Sequence, residues 1–269
     1  MMTGTRLWVL SAVVMSAVFL GCGTAPREDA SFRIVSYNIR HGQGMDGVVD
    51  VRNAGRVIAR ENPRFVGVQE VDVRTTRVSG ADTCAILEKT TGLHATFAKA
   101  IDFGCGEYGN AVLSREVPRN VRRIPLPGAE PRVLLLCEFE DCWFGTMHLA
   151  VDSEKARLGS IEIVRKAVAE CGPKPVFLSG DWNASPDSSV LKGLKEFVSV
   201  LSGEGEATFH GGRTGNVGKP SRNRCIDYIA VDTAHCGECE VGESRVIQDN
   251  KTSDHYPIVT TISFRRNIK

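Results

Sequence analysis

The chain has 269 residues, 42% of them hydrophobic, which is enough to bury a sizeable core in one large domain or two small ones. Nothing in this composition indicates intrinsic disorder. The formal net charge of +1 excludes the global positive field of dedicated nucleic-acid-binding proteins, so any binding of a polyanion has to be local.

The N-terminal segment has the features of an export signal. Arg6 provides a small positive charge, and an apolar stretch follows from Leu7 to Leu20, which is short for a membrane-spanning helix. Residues 19–22, Phe-Leu-Gly-Cys, then resemble a bacterial lipobox, in which the cysteine is lipidated and becomes the mature N-terminus. Phenylalanine at the first of these positions departs from the commoner leucine, so simple secretion and a retained anchor remain as alternatives.

These features predict the organisation of the chain. We expect a signal peptide over residues 1–22 that ends at Cys22, a polar tether over 23–31, and one folded domain over 32–265. The exported protein would then be a bacterial lipoprotein, held at the membrane or cell surface by its N-terminal lipid anchor.

Eight of the nine cysteines lie beyond the lipobox, and an even number in an exported chain permits disulfides without fixing their pairing. Cys236 and Cys239 are the expected local pair. A zinc site at this pair, with His235 alongside, would lack a second pair of ligands at the usual spacing. Cys137 and Cys225 lie in or beside apolar runs and are expected to be buried free thiols.

In the first part of the domain, two predicted strands end in polar residues. Alternating apolar residues predict a strand over 32–37, helical spacing predicts a helix over 51–60, and an apolar run predicts a strand over 65–68. Asn38 and Glu70 follow the two strands. A polar residue after a strand is often only the start of a loop, but ligand sites in open sheets gather at the carboxyl ends of strands.

The remaining pattern continues to alternate helices and strands. Helices are predicted over 83–90 and 153–171, a short helix and a strand over 191–201, and strands over 95–98, 110–114, 133–139, 143–147, 176–178, 226–231 and 258–262. His148 ends one of these strands, and Asp227 lies early in another, where a buried carboxylate needs a partner. Asp254 and His255 precede the last strand.

The strand over 176–178 delivers Gly180, Asp181 and Asn183 to the edge of its sheet. Because residues two apart share a face of an extended segment, Asp181 and Asn183 could together hold a water, a metal-bound oxygen or a phosphate. A simple Asp/Asn turn after the strand is the alternative.

Arginines and one glycine-rich loop supply the candidate contacts to anions. Arg74 and Arg77 lie on a polar loop and could bind a phosphate with forked hydrogen bonds, or be merely solvated. The loop over 202–223 has no Walker-type phosphate motif. It and the residue after it carry the polar side chains His210, Arg213, Lys219, Arg222 and Arg224.

An ordered set of short motifs resembles the endonuclease/exonuclease/phosphatase superfamily, typified by pancreatic-type deoxyribonuclease. Each motif is weak alone, but together they cover about residues 32–262 in the right order. They are Tyr-Asn-Ile-Arg at 37–40, Gln-Glu-Val at 69–71, Tyr-Gly-Asn-Ala-Val-Leu-Ser-Arg at 108–115, Thr-Met-His-Leu at 146–149, Gly-Asp-Trp-Asn at 180–183, Ile-Asp-Tyr-Ile at 226–229 and Ser-Asp-His at 253–255. The resemblance implies an α/β four-layer sandwich, with two mixed β-sheets packed face to face and helices on the outer faces.

The resemblance also implies a divalent-metal site. Glu70 is expected to bind Mg²⁺, or Mn²⁺ in its place, with Asn38 and Asp254 close by, and hard oxygen ligands suit either ion. Asp181 is expected to orient or deprotonate the attacking water, and Asn183 to hold that water or the phosphoryl oxygens.

Contacts to the substrate phosphate follow from the same resemblance. His255 is expected to contact the phosphate, with Asp227 fixing its ring and favouring the cation. His148, oriented by Glu107, is expected to be a second contact to the phosphate or the leaving group. Further phosphate contacts are expected from Arg40, Arg74, Arg77 and Asn110.

The sequence therefore predicts an exported, monomeric, metal-dependent phosphoester hydrolase, and within that class a phosphodiesterase. Its substrate could be nucleic acid, a lipid headgroup or a small molecule, because the motifs do not distinguish these. A phosphomonoesterase or a sphingomyelinase-like enzyme is the alternative within the class. Outside it, the alternative is a non-catalytic surface-binding lipoprotein on the same fold, but that protein should have lost site residues, and none is lost here.

Overall fold

A computed structural model of the chain describes Met1 and residues 30–211, 224–249 and 251–264. The expected signal peptide, Cys22 and nearly all of the tether lie outside the described residues, as do Arg213, Lys219 and Arg222. Among the described residues, no helix is long and apolar enough to cross a membrane.

The described chain forms twelve strands and four α-helices. In order they are β1 (Ala30–Asn38), α1 (Val51–Arg60), β2 (Phe65–Val73), α2 (Thr83–Thr91), β3 (His94–Phe103), β4 (Gly106–Ser114), β5 (Asn120–Leu126), β6 (Arg132–Glu138), β7 (Trp143–His148), α3 (Glu154–Ala169), β8 (Val176–Asp181), α4 (Ser189–Leu194), β9 (Val198–Val200), β10 (Asp227–Asp232), β11 (Cys239–Val246) and β12 (Ile258–Phe264). Serine and aspartate side chains cap the starts of the four helices, at Asp50, Asp82, Ser153 and Ser188.

Two six-stranded mixed sheets carry the fold. The first has the order β11-β12-β1-β2-β4-β3 and the second β5-β6-β7-β8-β10-β9. Each sheet contains one parallel pair, β1 with β2 and β7 with β8, and each pair is connected through a helix, α1 or α3. This arrangement confirms the predicted four-layer sandwich of two mixed sheets.

Three layers of buried side chains hold the sheets and helices together. Ile34 on β1 and Phe65 on β2 pack between the two sheets, against Phe144 and Phe177 of the second sheet. The next residue along β1, Val35, points to the opposite face and packs beneath α1 and α2. A third cluster lies between the second sheet and α3 and α4. The alternation of apolar residues along the strands therefore serves two cores at once.

Two strands were not predicted, and both lie at sheet edges. β5 is the edge of the second sheet and carries polar residues and Pro125, while β11 is the edge of the first sheet and is mostly exposed. Edge strands bury little surface and tolerate proline and charge. They lack the apolar alternation from which a strand can be predicted.

The described cysteines are all free thiols, so the expected pairing of Cys236 with Cys239 is not formed. The Cys236 thiol lies 3.3 Å from the carbonyl oxygen of Thr233, and the Cys239 thiol 3.6 Å from that of His235. Cys137 is buried as expected, whereas Cys225 is only partly buried. In the short turn at Cys236–Glu238, each thiol therefore contacts a backbone carbonyl oxygen instead of the other thiol.

The two sheets approach each other closely beneath one end of the sandwich. A Cβ atom added to Gly67 of β2 would lie 2.6 Å from Thr146 Oγ1 and closer still to Ser179 Oγ, both in the second sheet. Beside this point, Gln69 Nε2 donates to Thr146 Oγ1 at 2.8 Å. Glycine at 67 therefore sets the separation of the sheets at this end.

We predict that Gly67→Ala destabilises the fold, because the added methyl would push the sheets apart. Overpacking of this kind costs about 1–3 kcal/mol. Gly205→Ala is the matched control, since nothing lies within 4 Å of a Cβ at that position. Thermal unfolding of both variants tests the prediction, and equal melting temperatures would contradict it.

Candidate active site

Three polar residues lie side by side across the second sheet. His148 ends β7, Asp181 ends β8 and Asp227 begins β10, and the strand register pairs Asp181 with each of the other two. The residue before Asp181, Gly180, has a φ of 147°, and a side chain there would collide with the carbonyl oxygen of Met147. The glycine therefore permits the backbone path that brings Asp181 to this edge.

The first sheet brings Asn38 and Glu70 to the same edge. Asn38 ends β1, while Glu70 lies where β2 shifts register against β4, between Val68 and Val71. Glu70 has a φ of 58°, a left-handed conformation that is uncommon for a non-glycine residue. Such a bulge re-aims a side chain, and this one turns Glu70 toward the other sheet.

Asn38 joins the two sheets through its side-chain amide. Its Nδ2 donates to Glu70 Oε1 at 3.0 Å and to Asp181 Oδ2 at 3.1 Å, while its Oδ1 accepts from the backbone nitrogen of Arg40 at 3.1 Å. Asn38 is fully buried, and Ser253 Oγ donates to its carbonyl oxygen at 2.8 Å. The amide thus holds two carboxylates from different sheets beside each other.

His255 lies between Asp227 and Asp181 and is held as a cation. Its Nδ1 is 2.9 Å from Asp227 Oδ2, which also accepts from Thr208 Oγ1 at 2.6 Å, and its Nε2 is 3.6 Å from Asp181 Oδ2. Burial alone would lower the pKa of His255, but the charges of Asp227 and Asp181 outweigh it and raise this pKa to about 10.

Asp181 is the most crowded of these groups. Its Oδ1 accepts from the backbone nitrogen of Asn183 at 3.0 Å, and its Oδ2 faces Asn38, His148 and His255. Burial, reinforced by the charge of Asp227, raises the pKa of Asp181. A carboxylate in this state accepts a proton more readily than an exposed one does.

His148 is neutral, in contrast to His255. Arg132 Nη1 lies 3.3 Å from His148 Nδ1, and because arginine can only donate, Nδ1 must be the acceptor. The ring proton is therefore on Nε2, which faces Asp181 Oδ2 at 3.4 Å. Burial and the positive charge of Arg132 lower the pKa of His148 well below its usual range.

The expected contact between Glu107 and His148 is not formed. Glu107 is half-exposed and pairs with Lys99 at 3.5 Å, so the group that orients His148 is Arg132. Sequence analysis did not identify Arg132. Its position could have indicated a role, because Arg132 is a charged residue at the start of an apolar strand, β6. Asp227 has the same position at the start of β10 and was identified for that reason.

The four residues expected to bind phosphate are distributed unevenly. Arg77 lines the cleft described below, whereas Arg40 does not line it and pairs through Nε with Asp254 at 3.7 Å. Arg74 is exposed, pairs with Asp82 and lines a separate depression. Asn110 is buried and donates to the carbonyl oxygen of Val133 at 2.9 Å, linking β4 to β6.

An open cleft of about 320 Å³ lies over these residues at the shared edge of the two sheets. The expected site residues that line it are Glu70, Arg77, His148, Asp181, Asn183, Asp254 and His255. Asn38 and Asp227 lie directly behind them. Arg224, the candidate anion contact that follows the glycine-rich loop, lines it as well, as do Tyr108, Arg132 and Phe209, to which no role was assigned from the sequence.

Glu70 and Asp254 fit a hard divalent cation. Both carboxylates line the cleft and are partly exposed, and among the described residues Glu70 accepts only from Asn38. Burial raises the pKa of Glu70, and the charge of Asp254 adds to this effect, so a cation there would relieve unfavourable electrostatics. Asn38 Nδ2 donates to Glu70 and Asp181, so Asn38 holds these carboxylates beside the cation position, and its expected place in the metal site stays a prediction.

A second group of possible metal ligands is formed by Asp181, Asp227 and His255, whose ligand atoms lie within 4.8 Å of one another. His255 fits this role less well, because its Nδ1 is already bonded to Asp227, and Mg²⁺ and Mn²⁺ prefer oxygen ligands. The oxygen pair of Glu70 and Asp254 is therefore the better site for Mg²⁺ or Mn²⁺.

Comparison with known proteins gives the family of the chain. The model of the endonuclease/exonuclease/phosphatase family matches residues 35–255, so the chain belongs to this family, whose members are phosphoester hydrolases. No curated protein sequence matches the chain.

Solved structures of the family share the fold. An endonuclease/exonuclease/phosphatase from Bacteroides vulgatus is 17% identical with a TM-score of 0.69, covering 88% of this chain and 100% of its own. One from Beutenbergia cavernae is 20% identical with a TM-score of 0.67, covering 87% and 72%. A mannosyl-6-phosphatase from Bacteroides thetaiotaomicron is 18% identical with a TM-score of 0.65, covering 87% and 100%.

We predict that Asp227→Asn lowers the pKa of His255, because burial remains while the main countercharge is removed. In the wild type the folded-state pKa lies above the unfolded value of 6.5. Protonation of His255 therefore stabilises the fold fully below pH 6.5, and this contribution is lost as the pH rises toward 10.

Titration of the imidazole nitrogens by NMR measures this change. Asp232→Asn is the matched control, since Asp232 lies on the same strand as Asp227 and pairs with another histidine, His235, at 2.7 Å. An unchanged His255 titration in Asp227→Asn would show that Asp227 does not hold the charge.

Proposed function

We propose that the protein is a divalent-metal-dependent phosphoester hydrolase in which a water molecule attacks phosphorus in line. One observation carries this proposal: Asn38 joins Glu70 of the first sheet to Asp181 of the second, at 3.0 and 3.1 Å, and two histidines face the same Asp181 oxygen at 3.4 and 3.6 Å. Phosphoester hydrolysis needs these parts, namely a site for a cation, a base for water, and donors to the phosphoryl oxygens.

Asp181 is the base in this proposal. It orients the attacking water and takes its proton as the new oxygen–phosphorus bond forms and the ester oxygen–phosphorus bond breaks. The backbone nitrogen of Asn183, 3.0 Å from Asp181 Oδ1, keeps the carboxylate in place. Asn183 lines the cleft, and its side-chain amide, anchored on the carbonyl oxygen of Leu149 at 3.0 Å, borders the position of the water.

The two histidines serve as donors. His255, held as a cation by Asp227, donates from Nε2 to a phosphoryl oxygen, where negative charge accumulates in the transition state. His148 donates a hydrogen bond from Nε2 to a phosphoryl oxygen or to the leaving oxygen and keeps its proton, because its Nδ1 accepts from Arg132. A cation held by Glu70 and Asp254 would neutralise charge on the phosphate and the leaving group.

We further propose that the protein is exported, anchored through Cys22 and active as a monomer at the cell surface. The export and the lipid anchor rest on the N-terminal pattern alone. The expected preference for diesters rests on the family resemblance.

The direct test is hydrolysis of p-nitrophenyl phosphate and bis(p-nitrophenyl) phosphate with Mg²⁺, with Mn²⁺ and with a chelator. We expect metal-dependent release of nitrophenol. Asp181→Asn and His255→Gln should each lose about 10²-fold or more in kcat, the usual effect of removing a base or an oxyanion donor. Asp232→Asn, a similar change on the same sheet, should keep the wild-type rate.

Two results would contradict the proposal. Folded Asp181→Asn and His255→Gln proteins with wild-type rates would show that hydrolysis occurs elsewhere. No turnover of either ester, with any metal, would favour the non-catalytic binding protein on the same fold.

A further inference from the structure

Arg132 is a buried cation whose charge is only weakly balanced. Its side chain is 6% exposed, and all its polar contacts use Nη1: 2.8 Å to Glu130 Oε1, 3.3 Å to the hydroxyl of Tyr108 and 3.3 Å to His148 Nδ1. Glu130 is half-exposed, and exposed ion pairs contribute little. Nε is buried without a partner, and no described residue accepts from Nη2.

Arg77 reaches the same wall of the cleft from the first sheet. Its Nε and Nη2 each donate to the buried carboxylate of Asp72 at 2.7 Å, and Asp72 is held in turn by Thr75. The guanidinium stacks 4.4 Å from the ring centre of Phe103 and 5.3 Å from that of Tyr108. No described residue accepts from its Nη1.

Tyr108 brings the two arginines together. Arg77 lies over its ring and Arg132 bonds its hydroxyl, and all three residues line the cleft. Each guanidinium is fixed on one side by protein groups and keeps one terminal nitrogen unpaired. A purely structural arginine would be expected to use its remaining donors on backbone or carboxylate oxygens, as Arg64 does with Asp141. Two incompletely paired arginines in one wall are suited to binding an anion.

The position of this pair beside the proposed reaction centre identifies the anion. Arg132 touches His148, which faces the base Asp181, so Arg132 is one imidazole ring away from the attacking water. Arg77 lies over the ring of Tyr108, within electrostatic range of Glu70. A phosphate held between Glu70 and His148 would lie in the same cleft as the two arginines.

We propose that Arg77 and Arg132 form a clamp for the terminal oxygens of a phosphate dianion, and that the enzyme therefore prefers small phosphomonoesters to phosphodiesters. The proposal rests on the hydrolase function proposed above. A monoester is a dianion above its second pKa near 6, whereas a diester carries one charge and a second ester group. The unpaired N–H groups of the two cationic guanidiniums match the charged oxygens of a dianion, whereas the second ester group of a diester carries no charge to pair with them. This preference is opposite to the one expected from the family resemblance.

Substrate preference is the first test. At pH 8, the wild type should hydrolyse p-nitrophenyl phosphate with a higher kcat/KM than bis(p-nitrophenyl) phosphate. Arg77→Gln should lower kcat/KM for the monoester by about 10²-fold, in the range for loss of one oxyanion donor, and change that for the diester much less. Arg132→Lys, which keeps the charge and loses the fork, should act in the same direction. Arg56→Gln, an exposed arginine on α1, is the charge-matched control and should change neither value.

Binding of inorganic phosphate is the second test, and it does not depend on turnover. With chelator present, phosphate should raise the melting temperature of the wild type and of Arg56→Gln, as expected for a ligand of the folded state. Arg77→Gln should lose this shift. Methyl phosphate should stabilise the wild type more than dimethyl phosphate does.

The outcomes separate the two proposals. Loss of hydrolysis in Asp181→Asn together with retained phosphate stabilisation supports both. Phosphate stabilisation that depends on Arg77, without hydrolysis of any ester, supports the clamp and overturns the hydrolase. A wild type that prefers the diester, equal losses for the two esters in Arg77→Gln, or phosphate stabilisation unchanged in that variant overturns the clamp.

Discussion

The whole site depends on one buried amide that bridges two sheets. Asn38 holds Glu70 and Asp181 at 3.0 and 3.1 Å, although these carboxylates belong to different sheets and would repel each other when charged. The bridge is possible because the sheets approach closely at Gly67 and because a bulge turns Glu70 inward. The close packing of the two sheets therefore also determines the geometry of the cleft.

The two histidines beside this bridge differ in protonation because their neighbouring side chains carry opposite charges. His255 faces Asp227 and is held as a cation, while His148 faces Arg132 and is held neutral, with its proton directed at Asp181. Each histidine thus presents a donor to the same carboxylate, one charged and one neutral. A site of this kind can stabilise charge on a phosphoryl group and transfer a proton without a change of fold.

The layered sandwich was expected from the family resemblance. Apolar alternation and polar strand ends are local patterns, and they predicted most strands and the residues that end them. Asn38, Glu70, His148 and Asp181 were found this way. Arg132 was missed because its role depends on Tyr108 and His148, which only the folded chain brings near. Asn110, expected at the substrate, links β4 to β6 instead, and the edge strands β5 and β11 carry no apolar pattern. Local patterns do not show which distant segments of the chain come into contact, and the roles of these residues and strands depend on such contacts.

The central claim is that both sheets serve one hydrolytic site, and a double-mutant cycle tests it most directly. Glu70→Gln and Asp181→Asn are compared singly and together by kcat/KM for the better nitrophenyl ester. If the two carboxylates act on one transition state, the double variant should lose about as much as the worse single variant. Losses that simply multiply, as they do for independent sites, would show that the two sheets do not act together.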